Sequence, residues 1–379
     1  MLIGKVGNLL IKDTNLRITG KKYITLNSVA RTALLTTLAG YLEKDNILVK
    51  DLKYYKKNKL EDFLSYVLNI KRAAPKNFNL NIKFDEKNIK KPKLGDKNNY
   101  SCLISFSGGI DSTAGILYAL DKGMKVTPVW IGFGQKNEEK ELRAIKKICK
   151  KLKLKPLIIK IDLKEYVDKG WSRWKLGMIP ARNYLFIALV STIANLSSKK
   201  NIKIFLCAHK EEITPVNTDK SLKFYKTSNK IFSDFYSKKI EVTSPFFKLT
   251  KPELVSYWIK NWESKYGISP KETVSCFFGN SCGVCKACIN RSIAFLCAGL
   301  PMDKFKVNPF SDKDKTLEEG YIYRFDELEK ERKLDFLYAM NINFKYLPLK
   351  IKKFIKPRIN ENRKDILKRI EKIRKIEKI

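Results

Sequence analysis

Apolar residues in the middle of the chain recur with two different periods. Short apolar runs of strand length alternate with longer stretches in which apolar residues have helical spacing. The predicted strands are Cys102–Phe106, Lys125–Ile131, Pro156–Ile161, Ile202–Cys207 and Ile240–Thr243, and the helices predicted between them include Thr113–Leu120, Glu138–Leu152 and Arg182–Leu196. Strands that alternate with helices indicate an α/β fold with a doubly wound parallel sheet, in which a ligand lies beyond the carboxyl ends of the strands.

The residues before this alternating region have a different pattern. Leu26–Leu42 has helical spacing, Asp62–Leu68 predicts a second helix, and Asn77–Phe84 alternates as a half-buried strand would. Lys87–Asn99 is polar and lysine-rich and contains proline and glycine, which is typical of a linker. We therefore predict an N-terminal accessory α+β region at residues 1–97.

The end of the chain is basic and amphipathic. Lys350–Ile379 is dense in lysine and arginine, and apolar residues recur at every third position, namely Leu367, Ile370, Ile373, Ile376 and Ile379. This spacing predicts an amphipathic helix. Its apolar face could pack on its own domain, on a partner protein or on an acidic surface. The predicted domains are thus residues 1–97, 98–303 and a helical basic C-terminal extension at 304–379.

Composition narrows the class of protein. Hydrophobic residues make up 44% of the 379 residues, as in ordinary globular proteins. The longest apolar stretch, Tyr184–Leu196, is shorter than a membrane span and contains Ser191, Thr192 and Asn195. We therefore expect a cytoplasmic protein without a membrane partner, whose cysteines are reduced thiols or metal ligands.

The net charge of +38 has two explanations. One is an acidic partner such as a nucleic acid. The other is a general bias towards lysine, because the excess is spread along the whole chain. Both explanations of the charge stay open. Whether the chain forms a homodimer is also open.

The strongest local motif follows the first predicted strand. Ser107-Gly108-Gly109-Ile110-Asp111-Ser112 joins that strand to a helix. Backbone N–H groups of such a turn and the helix dipole form a cradle for anions, and glycine permits the close approach of phosphate. A Walker loop would have lysine after its second glycine, which this loop lacks. The motif therefore predicts a different type of nucleotide phosphate loop.

Three segments should lie at the same edge of the sheet, and the Ser107–Ser112 loop is the first of them. Gly132–Gln135 follows the second strand, and Ala208–Glu212 follows the fourth. His209, the only histidine, is either a proton shuttle or a structural residue, and Glu211 and Glu212 are either ligands of magnesium or substrate or parts of a solvated loop. Thr250–Glu253 is typical of a capped helix start, from which Lys251 could also contact phosphate.

Four cysteines form the second strong motif. Cys276, Cys282, Cys285 and Cys288 have C-x5-C-x2-C-x2-C spacing. Four thiolates without an open position favour structural zinc, and an iron–sulfur cluster is the alternative. The other four cysteines, namely Cys102, Cys149, Cys207 and Cys297, fall in strand or helix patterns and are predicted to be core residues.

Together these motifs resemble the 7-cyano-7-deazaguanine synthase family, within the N-type ATP pyrophosphatase (PP-loop) superfamily of adenine nucleotide alpha hydrolase-like folds. The resemblance covers about residues 100–303. It lies in the stretches Ser107–Ser112, Gly134–Gln135 with Glu141–Leu142, Ile179–Asn183, Leu249–Lys251 and Ser275–Gly299.

The resemblance implies an ATP-dependent carbon–nitrogen ligase that takes 7-carboxy-7-deazaguanine and ammonia. It implies ATP, Mg²⁺ and Zn²⁺ as cofactors, with zinc on the knuckle 276–288. Catalytic residues would be Asp111, Ser112 and Arg182. Contacts to the nucleotide would come from Ser107, Gly108, Gly109, Asp111, Ser112, Gln135, Arg182, Asn183 and Lys251. Contacts to the substrate would come from His209, Glu211, Glu212 and Asp219.

The chain departs from the family pattern in two places. Lys136 and Asn137 stand where arginine and histidine are usual, and Val216–Phe224 keeps Asp219 but lacks the usual tyrosine, proline and arginine. Three alternatives are therefore open: an enzyme of anti-phage defence operons that joins a deazaguanine to a protein partner, a tRNA thiolation enzyme, and a non-catalytic scaffold. The protein partner would bind through the N-terminal region or the C-terminal tail.

Overall fold

The structure is a computed structural model. It describes residues 2–6, 9–12, 16–18, 22–24, 30–35, 46–50, 81–85, 100–161, 182–195, 197–213, 219–313 and 315–377, and for the N-terminal strands it describes the backbone. The predicted helix Asp62–Leu68 and the predicted linker Lys87–Asn99 lie outside these residues.

The described strands form two sheets. They are β1 (Leu2–Val6), β2 (Leu9–Lys12), β3 (Leu16–Ile18), β4 (Lys22–Ile24), β5 (Asn46–Lys50), β6 (Asn81–Asp85), β7 (Cys102–Ser105), β8 (Val126–Gly132), β9 (Leu157–Lys160), β10 (Asn201–Phe205) and β11 (Lys239–Thr243). The large sheet has the order β11-β10-β7-β8-β9-β3-β4, and the small sheet has the order β2-β1-β5-β6.

The five predicted strands are all present, and they pair in parallel as β11-β10-β7-β8-β9. This order places β7, which leads into the glycine loop, at the centre of the sheet. The N-terminal region adds β3 antiparallel to β9, so it extends the same sheet. The strand predicted at Asn77–Phe84 is β6, and residues 30–35 of the helix predicted at Leu26–Leu42 are helical.

The described helices lie mainly between and after the parallel strands. They are α1 (Ile110–Asp121), α2 (Glu138–Lys151), α3 (Arg182–Asn195), α4 (Lys210–Ile213), α5 (Leu222–Tyr236), α6 (Lys251–Asn261), α7 (Glu263–Tyr266), α8 (Lys286–Cys297), α9 (Lys330–Ile342), α10 (Leu349–Glu361) and α11 (Arg363–Arg374). Short 3₁₀ turns lie at Pro270–Glu272, Phe325–Glu327 and Phe344–Tyr346, and a π-helical turn lies at Glu318–Ile322. The predicted capping box of α6 is confirmed, because Thr250 and Glu253 each accept a hydrogen bond from the other's backbone N–H.

Side chains of successive strand residues are buried in two separate hydrophobic cores, one on each face of the parallel sheet. On β7, Leu103 packs with α3, α5 and residues 30–35, whereas Ile104 packs with α1, α2, α6 and α8. This alternation is the period of two that a pleated strand imposes on its side chains. Helices on both faces confirm the doubly wound α/β fold. All four cysteines predicted for the core are buried.

The C-terminal residues pack on the rest of the protein. Ile289 and Ile293 of α8 share a core with residues of α9, α10 and α11. The predicted helical C-terminal extension is confirmed, and Asn362 divides its last part into α10 and α11. Ile366 is 5% exposed and Leu367 is 60% exposed. A helix has 3.6 residues per turn, so a spacing of exactly three does not stay on one face. The prediction therefore placed Leu367 on the apolar face, where Ile366 lies.

A buried arginine fixes α11 to the central helices. Arg369 donates to both oxygens of Asp335 on α9, at 2.9 and 3.1 Å. It also donates to Glu253 Oε1 at 2.5 Å and to Thr250 Oγ1 at 2.7 Å, which are the two members of the α6 capping box. Burial alone would lower the pKa of Arg369, but the two carboxylates raise it, so the guanidinium stays charged.

We expect Arg369→Met to lower the free energy of unfolding by about 3–5 kcal/mol, because it leaves two buried carboxylates without their cation. Urea unfolding measures this loss. Arg324→Met is the control, since Arg324 forms a solvent-exposed pair with Glu327 at 2.8 Å and such pairs contribute ~1 kcal/mol or less. Equal losses in the two variants would contradict the prediction.

Among the described residues, no helix has both the length and the apolar composition that crossing a bilayer requires.

Candidate active site and metal centre

The glycine loop is a compact turn between β7 and α1. Ser112 Oγ accepts from Ser107 N and lies 3.3 Å from Ser107 Oγ, so the two hydroxyls close the turn. Gly109 caps α1 without a side-chain hydrogen bond, which leaves the first N–H groups of the helix available. An anion in this turn would meet the positive end of the α1 dipole.

Gly108 cannot be replaced without strain. Its φ is +71°, and a Cβ there would lie 3.2 Å from Ala144 Cβ on α2. Its carbonyl accepts from Val274 N at 2.8 Å. The loop is therefore held from behind by α2 and by the segment that leads into the four cysteines.

Lys251, at the first position of α6, reaches the glycine loop. Its Nζ lies 2.9 Å from Asp111 Oδ2, although the two residues are 140 positions apart. Burial alone would lower the pKa of Lys251, but the charges of Asp111 and Glu212 raise it. A permanently charged ammonium group thus lies beside the anion cradle.

The residues after β10 form a buried charged group behind Lys251. His209 Nδ1 lies 3.1 Å from Glu211 Oε2, and His209 Nε2 lies 3.7 Å from Glu212 Oε2. Burial would raise the pKa of Glu211, but His209, Arg332 and Lys251 lower it to about 2. Glu211 is therefore ionised at neutral pH although its side chain is only 9% exposed, so it is not part of a solvated loop.

A second group of polar residues lies at the end of β8. Glu141 on α2 accepts from Trp130 Nε1 at 3.0 Å, from Gln135 Nε2 at 3.1 Å and from Asn137 Nδ2 at 2.8 Å. Burial raises the pKa of Glu141, and these donors together with the charge of Arg182 oppose that rise. Gln135 is thereby fixed in one orientation.

The start of α3 contributes Arg182 and Asn183. Asn183 N lies 3.4 Å from Asp219 Oδ2, and Asn183 Nδ2 donates to the Asp219 carbonyl at 3.3 Å. Asp219 thus packs against the helix start. Residues 214–218, which hold part of the stretch that departs from the family pattern, lie outside the described residues.

These groups surround one cavity of about 720 Å³. It is lined by the following predicted site residues: Ser107, Gly109, Asp111, Ser112, Gln135, Arg182, Asn183, Glu212 and Lys251. Gly108 faces α2, and His209, Glu211 and Asp219 are outside the lining. The carboxyl ends of β7, β8 and β10 therefore meet at the cavity, as the sheet topology predicts.

The four cysteines have the arrangement of a metal centre. The Sγ–Sγ distances are 3.6 Å for Cys276–Cys282, 3.9 Å for Cys282–Cys288 and 3.4 Å for Cys285–Cys288. A tetrahedral zinc ion with Zn–S bonds of about 2.3 Å requires edges of ~3.8 Å. The donor set therefore fits one zinc ion, and a cluster of several irons would need the sulfurs further apart.

The metal centre lies next to the cavity. Phe277 and Phe278 follow the first cysteine, line the cavity, and are 45% and 40% exposed. Lys136 lies over the Phe278 ring at 6.0 Å. The cysteine loop thus positions two aromatic rings at the cavity mouth, beside one of the two residues that replace the usual arginine–histidine pair.

Sequence reasoning missed several residues of this site. Lys220 lines the cavity and lies 2.5 Å from Glu212 Oε1, and Arg332 lies 3.7 Å from Glu211 Oε1. Neither belongs to a local motif: Lys220 is eight residues from Glu212, and Arg332 lies in the C-terminal extension. Glu141 could have been found, since it belongs to one of the stretches that carry the family resemblance.

Known proteins match the region that holds this site. The model of the family "Queuosine biosynthesis protein QueC" matches residues 101–299. The 7-cyano-7-deazaguanine synthase of Methanocaldococcus jannaschii is 29% identical, over 53% of this chain and 96% of its own length. The 7-cyano-7-deazaguanine synthase of Methanosphaera stadtmanae is 30% identical, over 50% of this chain and 90% of its own length. The 7-cyano-7-deazaguanine synthase 2 of Sulfurisphaera tokodaii is 27% identical, over 57% of this chain and 50% of its own length.

A solved structure described as a predicted subunit of tRNA methyltransferase from M. jannaschii covers 46% of this chain and 92% of its own. Its TM-score of 0.31 at 16% identity is too low to bear on the fold or the function. The family model, in contrast, spans more than half of the chain and contains the glycine loop and all four cysteines. The chain therefore belongs to the QueC family of the PP-loop superfamily.

Proposed function

We propose that this chain uses ATP to activate the carboxylate of 7-carboxy-7-deazaguanine and then joins it to ammonia, which gives 7-cyano-7-deazaguanine. The observation that carries the proposal is the anion cradle with a charged lysine beside it, at the base of a 720 Å³ cavity. Sites for small molecules and cofactors usually have volumes of about 300–1,000 Å³. The names of the relatives support the choice of substrate.

The proposed reaction begins with attack of the substrate carboxylate on the α phosphorus of ATP. Pyrophosphate leaves, and an acyl adenylate forms. Ammonia then attacks the acyl carbon, AMP leaves, and the product is an amide. A second ATP activates the amide oxygen in the same way. Loss of AMP and of the amide protons leaves the nitrile.

In this proposal the chain stabilises the charge that develops on phosphate. N–H groups of Gly108 and Gly109 and the hydroxyls of Ser107 and Ser112 hold the pyrophosphate end. Lys251 neutralises the same oxygens at close range. Charge stabilisation of this kind is strong where water is excluded.

Further contacts would come from Gln135 after β8 and from the start of α3. Arg182 stabilises the phosphoryl oxygens, and Asn183 and Gln135 bind the nucleotide.

Asp111 Oδ1 is buried and has no hydrogen-bond partner among the described residues, which suits a carboxylate ligand of magnesium. Magnesium would supply Lewis-acid activation of the phosphates.

The residues proposed for the substrate lie on the side of β10. Glu212 lines the cavity, and His209 and Glu211 lie behind it. Asp219 lies beside Asn183. Their role would be to bind the heterocycle and to receive protons as ammonia attacks.

Turnover of the purified chain tests the proposal. With 7-carboxy-7-deazaguanine, ammonium, ATP and magnesium, we expect AMP and pyrophosphate by chromatography and a nitrile product by mass spectrometry. Asp111→Ala should abolish both. Asp121→Ala is the matched control, because Asp121 lies on the same helix and pairs with Lys265 at the surface. Absence of AMP formation, or full activity of Asp111→Ala, would refute the proposed reaction.

The second candidate keeps the activation step but transfers the deazaguanine to a protein, as in the defence-type members. The exposed Phe277 and Phe278 favour it, because two aromatic rings at the cavity offer an apolar surface to a protein chain, and Lys136 and Asn137 beside them replace the usual pair. Mass spectrometry of co-expressed partners would detect a deazaguanine adduct. Unmodified partners alongside nitrile formation would exclude this candidate.

Thiolation of tRNA has less support. It would require a reactive pair of cysteines beside the nucleotide. All eight cysteines are buried, and four of them form the metal centre. Burial raises the pKa of Cys102 and of Cys149 to about 12, so these thiols are poor nucleophiles.

A further inference from the structure

Two carboxylates at the base of the cavity each keep one buried oxygen free. Among the described residues, nothing donates a hydrogen bond to Asp111 Oδ1 or to Glu212 Oε2. Their other oxygens are occupied: Lys251 lies 2.9 Å from Asp111 Oδ2, and Lys220 lies 2.5 Å from Glu212 Oε1. A buried acceptor without a partner is costly, so this pair of oxygens is suited to a ligand.

A buried histidine completes the group. His209 is 3% exposed, its Nδ1 has no aligned hydrogen bond among the described residues, and its Nε2 lies 3.7 Å from the free oxygen of Glu212. Its Nδ1 is 3.1 Å from Glu211 Oε2, and Glu211 itself lies near Arg332 and the backbone N–H of Lys251. A carboxylate behind an imidazole is the usual support of a metal-binding histidine.

One ligand atom from each of Asp111, His209 and Glu212 lies within 4.8 Å of the other two. We propose that these three residues bind a divalent transition-metal ion, of the Mn²⁺, Fe²⁺ or Zn²⁺ class. His209 Nε2 and Glu212 Oε2 are 3.7 Å apart, so one ion can lie about 2.1 Å from both atoms, which is a normal bond length to nitrogen or carboxylate oxygen.

The chemistry of the donors selects this class of ion. Magnesium prefers oxygen ligands and near-octahedral geometry, whereas imidazole favours transition metals. Lys220 and Lys251 need not be displaced, because each contacts the carboxylate oxygen that is not the free one. They serve as outer partners, as Glu211 does for the imidazole. Their positive charges weaken the site, so we expect micromolar rather than nanomolar binding.

The site faces the cavity through Asp111 and Glu212, where phosphate oxygens would complete the coordination sphere. The inference rests on the proposed function and deepens it, since it assigns a transition-metal ion in place of magnesium to Asp111 Oδ1. Binding of the metal alone tests it without any turnover. Manganese is the appropriate probe, because it prefers oxygen and nitrogen donors and does not compete for four thiolates.

The experiment titrates Mn²⁺ into the zinc-loaded full-length chain without nucleotide or magnesium, and electron paramagnetic resonance counts the free ion. We expect one Mn²⁺ per chain. Binding should weaken more than tenfold in His209→Ala and about 10- to 100-fold in Glu211→Gln, which removes only the outer partner. Glu272→Gln should bind normally, because Glu272 pairs with Lys147 and Lys151 outside the cavity.

Zinc content and thermal melting verify that each variant is folded, and Glu212→Gln gives a second test that keeps the side-chain volume. Binding that survives in His209→Ala, or that equimolar Mg²⁺ displaces, would overturn the inference, as would no binding to the wild type. If magnesium-dependent AMP formation persists while Mn²⁺ does not bind, the inference alone fails. If Mn²⁺ binds but no AMP forms, the inference stands and the proposed reaction fails.

Discussion

Replacing Lys251 with methionine is expected to lower kcat/KM for AMP formation by about 100- to 1,000-fold, the loss typical when one preorganised electrostatic donor is removed from an active site. Lys251 Nζ is 2.9 Å from Asp111 Oδ2, and nearby carboxylates raise its pKa, so it acts as a fixed positive charge and not as a proton donor. The loss should therefore change little between pH 6 and 9. Methionine keeps much of the side-chain volume, and chromatography of AMP gives the rate.

The matched control for this variant is Lys265→Met. Lys265 pairs with Asp121 at 2.5 Å, and Asp121 is on the same helix as Asp111, but the Lys265 side chain is largely exposed and lies outside the cavity. We expect this control to keep full activity. Activity of Lys251→Met within threefold of the wild type would show that Lys251 is only a structural partner of Asp111. An equal loss of activity in both variants would show that the substitutions act by destabilising the fold and not by removing a positive charge from the active site.

The central part of the fold was predictable because its signals are local. Each parallel strand is a short apolar run, and the alternation of these runs with helices indicates a doubly wound parallel sheet. The observed ends of β7 and α2 differ from the predicted ends by one residue. The glycine loop and the cysteine spacing were readable for the same reason: each lies within a few residues of sequence, so its chemistry does not depend on distant segments.

The residues of the charged group behind the loop were named from the sequence, but the ion pairs that join distant segments were not predictable. Lys251 and Asp111 are 140 residues apart, and Arg369 is 116 residues from Glu253. Lysine and arginine occur throughout this basic chain, so a single one carries no signal of a buried partner. Only the packing of α9 and α11 on α6 distinguishes Arg369 from the many solvated cations around it.

Packing also resolves one question that the sequence left open. The apolar face of the C-terminal residues packs on the protein's own helices, as Ile370 and Ile373 are buried against α9. Periodicity identified an amphipathic surface but could not say what covers it. Arg332 on α9 also belongs to the predicted C-terminal extension and lies 3.7 Å from Glu211. This contact connects the extension to the candidate active site.

The cysteine loop depends on Gly283, and we expect Gly283→Ala to destroy the metal centre. Gly283 has a φ of +81°, and a Cβ there would lie 1.7 Å from the carbonyl oxygen of Val307. That contact cannot be relieved by rotating a side chain. The backbone at 305–307 must move, although Lys306 N and Val307 N donate to the carbonyls of Ser281 and Cys282. Separating these segments displaces the thiolates from their tetrahedral positions.

Gly123→Ala is the matched control, because Gly123 also has a positive φ, of +67°, but no atom lies within 4 Å of the added Cβ. It should cost only ~1 kcal/mol of backbone strain and keep its zinc. We expect the wild type and Gly123→Ala to retain one zinc per chain after a chelator challenge, and Gly283→Ala to lose it. Because binding of structural zinc contributes to folding, the melting temperature of Gly283→Ala should fall with its zinc content. Equal zinc retention in the two variants would show that the loop can move away from Val307 without disturbing the thiolates.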